Sequence, residues 1–118
     1  MDLSEMEFDN ARPFDGYGPG FFRIGGRVIE GALVLHPGGI LPWGGLADVA
    51  TPMELAGKVD VICVGTGAEI AHLPPDLRAA ADEVGLGLEA MNSPAACRTY
   101  NVLVSEGRRV AAAVLPVG

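Results

Sequence analysis

SPAACRTYNVLVSEGRRVAAAVLP (residues 93–116) holds a helix start, a polar cluster, a helix stop and a final apolar strand in one short span. Ser93 carries a capping hydroxyl, and Pro94 suits the first helical position because its missing N–H is not needed there. Gly107 suits the far end, with Arg108 and Arg109 just past it. The span therefore predicts a helix over 93–106 and a strand over 109–115. Cys97, Arg98, Thr99, Tyr100 and Asn101 form a run of functional side chains inside an otherwise Ala/Val/Leu-rich stretch. Helix formation alone does not require them.

Upstream, DVICV (60–64) is a short continuous apolar run, the pattern of a strand buried on both faces of a parallel sheet. Pro74 and Pro75 introduce a helix from about 75 to 84, favoured by Ala79, Ala80 and Ala81 and ended by Gly85. LGLEAM (86–91) reads as a strand. The second half is thus β-α-β-α-β, the alternation of right-handed parallel crossovers. The first half differs. In FFRIGGRVIEGALVLHPGGILPW (21–43) short apolar runs are broken by Gly-Gly, Glu-Gly and Pro-Gly-Gly, the punctuation of consecutive hairpins. This is read as a β-meander. Thr51 followed by Glu54 matches a capping box and predicts a short helix over 52–57. Residues 1–20 read as an acidic lead-in closed by the Gly/Pro loop DGYGPG (15–20). With no repeat and no linker, residues 1–118 are expected to form a single α/β domain.

The chain has 118 residues, 49% of them hydrophobic and 19% charged, enough for one real core. Its net charge is −7 with eight basic residues, so nucleic acid and anionic membrane surfaces are poor partners. No apolar run approaches the roughly 20 residues that span a bilayer. The acidic start MDLSEMEFDN has the character of neither a signal nor a transit peptide, so a soluble, cytoplasmic chain is expected. Cys63 and Cys97 lie in different elements and are not expected to pair. Two cysteines and two histidines (His36, His72), all far apart, make no zinc spacing. No metal, cofactor or catalytic residue is assigned.

Chemistry has one natural place. Ligands of open α/β sheets bind beyond the carboxyl ends of parallel strands. Gly65-Thr66-Gly67 follows the first strand of the second half, and Asn92-Ser93-Pro94 follows the next. If those strands are parallel, both loops share one sheet edge. The loops, with Cys97 and Arg98, read as a small anion or carboxylate site at a helix N-terminus. The plainer reading, favoured because such loops follow from the fold itself, is a tight turn with Arg98 on backbone carbonyls. Cys97 is the one nucleophile worth weighing, since a helix start and an adjacent arginine favour thiolate. A lone cysteine so placed is more often a small core residue. Tyr100 and Asn101 either orient a ligand or tie the helix to the meander. Trp43, in LPWGG, is either an exposed anchor or a residue packed on the sheet edge.

Together these segments resemble a known family. YGPGFFRI (17–24), G-x-LVL-x-P-x-G-I-x-x-W (31–43), VGTG (64–67) and M-x-x-x-AACRTYNVL-x-x-EGRRVAAA (91–113) are similar to the small α/β domain family that includes mitochondrial NADH dehydrogenase (complex I) assembly factor 3 and many bacterial and archaeal proteins. The resemblance implies a three-layer α/β fold with a central mixed β-sheet. It implies no established enzymatic activity. It carries over Trp43, Gly65, Thr66, Gly67, Cys97, Arg98, Thr99, Tyr100 and Asn101, which with Ser93 make up a candidate pocket. The expected function is a non-enzymatic interaction domain, assembly-factor-like, with a protein partner and a monomeric or homodimeric state. The alternative is a small anion- or metabolite-binding, or thiol-redox, domain using the GTG loop and the 93–101 helix start.

Overall fold

The computed structural model describes residues 6–7 and 10–118. The rest of the acidic lead-in lies outside the described residues. The elements in chain order are β1 (Met6–Glu7), β2 (Phe14–Gly18), β3 (Phe21–Ile24), β4 (Arg27–Glu30), β5 (Leu33–His36), β6 (Gly39–Pro42), α1 (Ala50–Met53), β7 (Val61–Thr66), α2 (Pro75–Val84), β8 (Gly87–Met91), α3 (Ser93–Ser105) and β9 (Val110–Leu115).

The second half follows its sequence pattern. β7 runs between β8 and β9 and parallel to both. Its residues Ile62, Cys63, Val64 and Gly65 are buried, as an apolar run inside a parallel sheet requires. β9 then pairs antiparallel with β5, β5 with β6 and β6 with β1, giving a mixed six-stranded sheet in the order β1-β6-β5-β9-β7-β8. The alanines of β9 are weak strand formers. Their strand is held by ladders on both sides, and their small side chains let helices lie close.

The two crossovers run in opposite directions across the sheet, α2 from β7 out to β8 and α3 from β8 back past β7 to β9, so α2 and α3 cover opposite faces. On one face, Cys63, Ala112 and Val114 pack with Cys97 and Tyr100 of α3 and with Phe14, Phe22 and Ile24. Those phenylalanines belong to a second, three-stranded antiparallel sheet, β2-β3-β4. On the other face, Val34, Ile62, Val64 and Ala113 pack with Leu55 and with Ala81 of α2. The result is the expected α/β domain: a mixed central sheet between α1 and α2 on one side and α3 with the small sheet on the other.

Three details depart from expectation. The meander is split. β3–β4 and β5–β6 are hairpins, but β4 and β5 belong to different sheets, so the chain crosses layers at Gly31. Phe14–Gly18, inside the expected lead-in and loop, is a strand paired with β3. The first short helix spans Ala50–Met53, not 52–57. Its start is held by Asp48, whose carboxylate accepts the Thr51 N–H at 3.1 Å and the Thr51 hydroxyl at 2.7 Å. Thr51 is therefore the capped residue and not the cap.

Candidate functional site

The strands are parallel as the site hypothesis required, so the GTG loop and the start of α3 do meet at one sheet edge. Their polar groups are already used. Asn92 caps α3, its Oδ1 accepting the Ala95 N–H at 2.8 Å, and Ser93 is the first helical residue. The Ser93 N–H donates to the Gly67 carbonyl at 2.7 Å and the Ala96 N–H to the Asn92 carbonyl at 3.0 Å, while Pro94 has no N–H to offer. Each N–H of the first turn thus has an acceptor within the chain.

Ser93 is 1% exposed and works in both directions. Its Oγ accepts the Gly67 N–H at 2.9 Å and donates to the Leu115 carbonyl. Thr66 Oγ1 donates to the Glu69 carbonyl at 2.7 Å and accepts the Ala71 N–H at 2.9 Å. Gly65 is required by contact. A Cβ there would lie 2.7 Å from Ser93 Oγ, 2.8 Å from Ser93 Cα and 2.9 Å from Val114 Cγ1. The crevice where open α/β sheets usually receive a ligand is laced together by these bonds.

The next residues divide by helical phase. Ser93, Ala96, Cys97 and Tyr100 form the buried face of α3, the i, i+3, i+4, i+7 pattern of a core stripe. Cys97 is 4% exposed. Burial pushes its thiol up to about 12, and the opposing pull of Arg98 is smaller. Of the two sequence readings, this geometry fits the small core residue and not the activated thiolate: the thiol is neutral at physiological pH. Burial likewise pushes Cys63 up to about 11, with the Glu89 carboxylate adding to it. Tyr100 is fully buried, edge-on to Phe14 at 5.6 Å, and its hydroxyl has no hydrogen-bond partner among the described residues. Burial raises its pKa too.

Asn101 is a clamp. Its Oδ1 accepts the Phe14 N–H at 2.8 Å and its Nδ2 donates to the Phe14 carbonyl at 2.9 Å. The side-chain amide meets β2 as a neighbouring strand would, which ties the helix to the small sheet. Between them Cys97, Arg98, Asn101 and residues 14–17 line a cleft of about 210 Å³. That is below the roughly 300–1,000 Å³ of small-molecule sites. Arg98 is exposed, and Thr99 is half-buried beside it.

Trp43 is elsewhere. It is 6% exposed in the cluster on the opposite face of the sheet, and its indole N–H donates to the Asp48 carbonyl at 2.9 Å. The structure therefore does not bring it together with the α3 residues. Arg109 is also remote from Arg98, beyond the other end of α3, where it donates to the Gly57 carbonyl and faces Asp60 at 3.6 Å. Sequence reasoning gave the cap of α3 to Ser93 in place of Asn92, and passed over Asp48. Both are short polar residues just before a helix, the usual signal of a cap.

Solved structures share this arrangement. An outer membrane protein from Bartonella henselae superposes with a TM-score of 0.84 at 33% identity, covering 94% of this chain and 99% of that one. An Mth938-like domain from Bordetella pertussis gives 0.77 at 27% identity, covering 98% and 92%. The fold is that of an Mth938-like α/β domain. The chain belongs to the protein family of unknown function DUF498/DUF598, whose model matches residues 14–115. An uncharacterized protein of Rhodobacter capsulatus is 50% identical over 99% of this chain and 94% of its own length. The mouse NADH dehydrogenase [ubiquinone] 1 alpha subcomplex assembly factor 3 is 31% identical over 98% of this chain. The chain spans 66% of that protein's length. No helix among the described residues is long and apolar enough to cross a membrane.

Proposed function

We propose that this chain is a cytoplasmic protein-interaction domain that acts like an assembly factor for a respiratory or membrane complex, without chemistry of its own. The observation that carries this reading is the similarity to an assembly factor across 98% of the chain. The polar cluster supports it. Ser93, Thr66 and Asn101 spend their hydrogen bonds on the fold, and Cys97 is a buried neutral thiol. An assembly role needs a specific surface and a stable scaffold, and both are compatible with a sealed crevice.

The test is removal of the gene from its host, followed by native-gel separation of the membrane complexes. The expected result is a respiratory or membrane complex that stalls as a subassembly while its subunits are still made. Complexes that all assemble at the normal level would overturn the proposal.

A further inference from the structure

The central sheet ends differently at its two sides. At one side β6 is covered by β1. At the other, β8 pairs with β7 alone, and among the described residues no strand lies beyond it. The Gly87 N–H donates to the Asp60 carbonyl at 3.0 Å, on the β7 side. In a parallel ladder successive residues turn their N–H and C=O groups to alternate sides. Gly87, Glu89 and Met91 therefore face β7, and Leu88 and Ala90 present theirs outward. A bare strand edge of this kind is a template for another strand.

A groove runs beside that edge. Its lining is Ile70, Ala71, His72, Arg78 and Ala90, around a volume of about 260 Å³. Ile70 is 66% exposed, the most exposed of the large apolar side chains described. Arg78 makes no ion pair among the described residues, and no carboxylate lines the groove. Glu89 shares the face of Cys63, its partner in register, whereas Ala90 shares the face of Val64 and of the groove.

Resting on the interaction reading above, we propose that the outer edge of β8 receives an extended segment of a partner protein as an added strand. Its apolar side chains alternate onto Ile70 and Ala90, and an acidic side chain meets Arg78 and His72. Backbone pairing supplies the grip and the groove supplies the selectivity. A second copy of this chain is the poorer occupant. A two-fold antiparallel pairing that joins Leu88 to Ala90 of the copy sets Glu89 directly opposite Glu89 of the copy. That position is a non-hydrogen-bonded pair, where side chains are closest and like charges repel. The net charge of −7 adds to the repulsion.

The test uses the full chain labelled with nitrogen-15 and two synthetic peptides. One alternates valine and threonine around a central glutamate; the other carries lysine in its place. The expected result is slowed amide exchange at Leu88 and Ala90 with the glutamate peptide and not with the lysine peptide. Arg78→Glu, at an exposed position, should reverse that preference. Ala90→Pro removes an outward N–H, which an edge strand tolerates, and should abolish the effect. Unchanged exchange at both amides with either peptide overturns the assignment. So does a chain that is dimeric without peptide and already protected at Leu88 and Ala90. A natural partner captured equally by wild type and by both variants also overturns it, while leaving the interaction reading standing. If wild type captures no partner, the interaction reading is what fails, and the peptide arm still decides the edge.

Discussion

Cys97 follows a helix start and precedes an arginine, yet its thiol is pushed up to about 12 because burial outweighs the neighbouring charge. The consequence for stability has a definite sign. The ordinary thiol value is 9.0, so in alkali the unfolded chain loses this proton first. The contribution is complete below that value and is lost as pH rises toward about 12. Cys63, pushed up to about 11, acts in the same direction. Urea midpoints measured from roughly pH 8 to pH 10 should fall, and the fall should be shallower in a Cys63→Ala/Cys97→Ala double variant. An equal slope in the two proteins would contradict this. Tyr100 gives a second test at the same scale. Its buried hydroxyl has no partner among the described residues, whereas its ring packs on Phe14. Tyr100→Phe keeps the ring contact and removes an oxygen that is costly to bury. Stability should be unchanged or raised by up to about 1 kcal/mol. A clear loss in thermal unfolding would mean the hydroxyl is bonded in solution.

At the scale of elements, two ties hold α3 in place. Asn101→Ala leaves the Phe14 N–H and carbonyl without their bonds and should cost about 1–3 kcal/mol. Amide exchange should quicken in β2 before it quickens in β7, and uniform quickening would contradict the clamp. Gly65→Ala drives a methyl group into Ser93 and Val114 and should cost about 1–3 kcal/mol in urea unfolding. α2 and β7 were readable because Pro75, Gly85 and the DVICV run are local signals, complete within their own segments. β2 was not, since Gly16, Gly18 and Pro19 argue for a loop and the strand depends on β3 and Asn101. Nor does the hairpin pattern say which sheet a strand joins. The crossing at Gly31 follows from burial of Phe22 and Ile24 over α3, a contact between distant segments. The 93–101 cluster was read as a run of adjacent residues. Helical phase turns Cys97 and Tyr100 inward and leaves Arg98 exposed.

Across the whole molecule, the bonds at the sheet's carboxyl edge and the open strand at its side divide the roles. The first make a scaffold. The second offers backbone to a partner. Trp43 illustrates the limit of sequence spacing at this scale. It was grouped with the GTG loop, yet it packs on the other face of the sheet. The alternation of inward and outward residues along a strand shows which residues share a face, not which layer covers that face. The most direct test of the central claim is cross-linking in living cells of the host, followed by capture of the tagged chain and identification of what is attached. The account predicts a specific polypeptide of a respiratory or membrane complex, retained by Cys97→Ala and Arg98→Ala at the wild-type level. A chain that retains no specific polypeptide, or one whose capture is lost with Cys97, would contradict it.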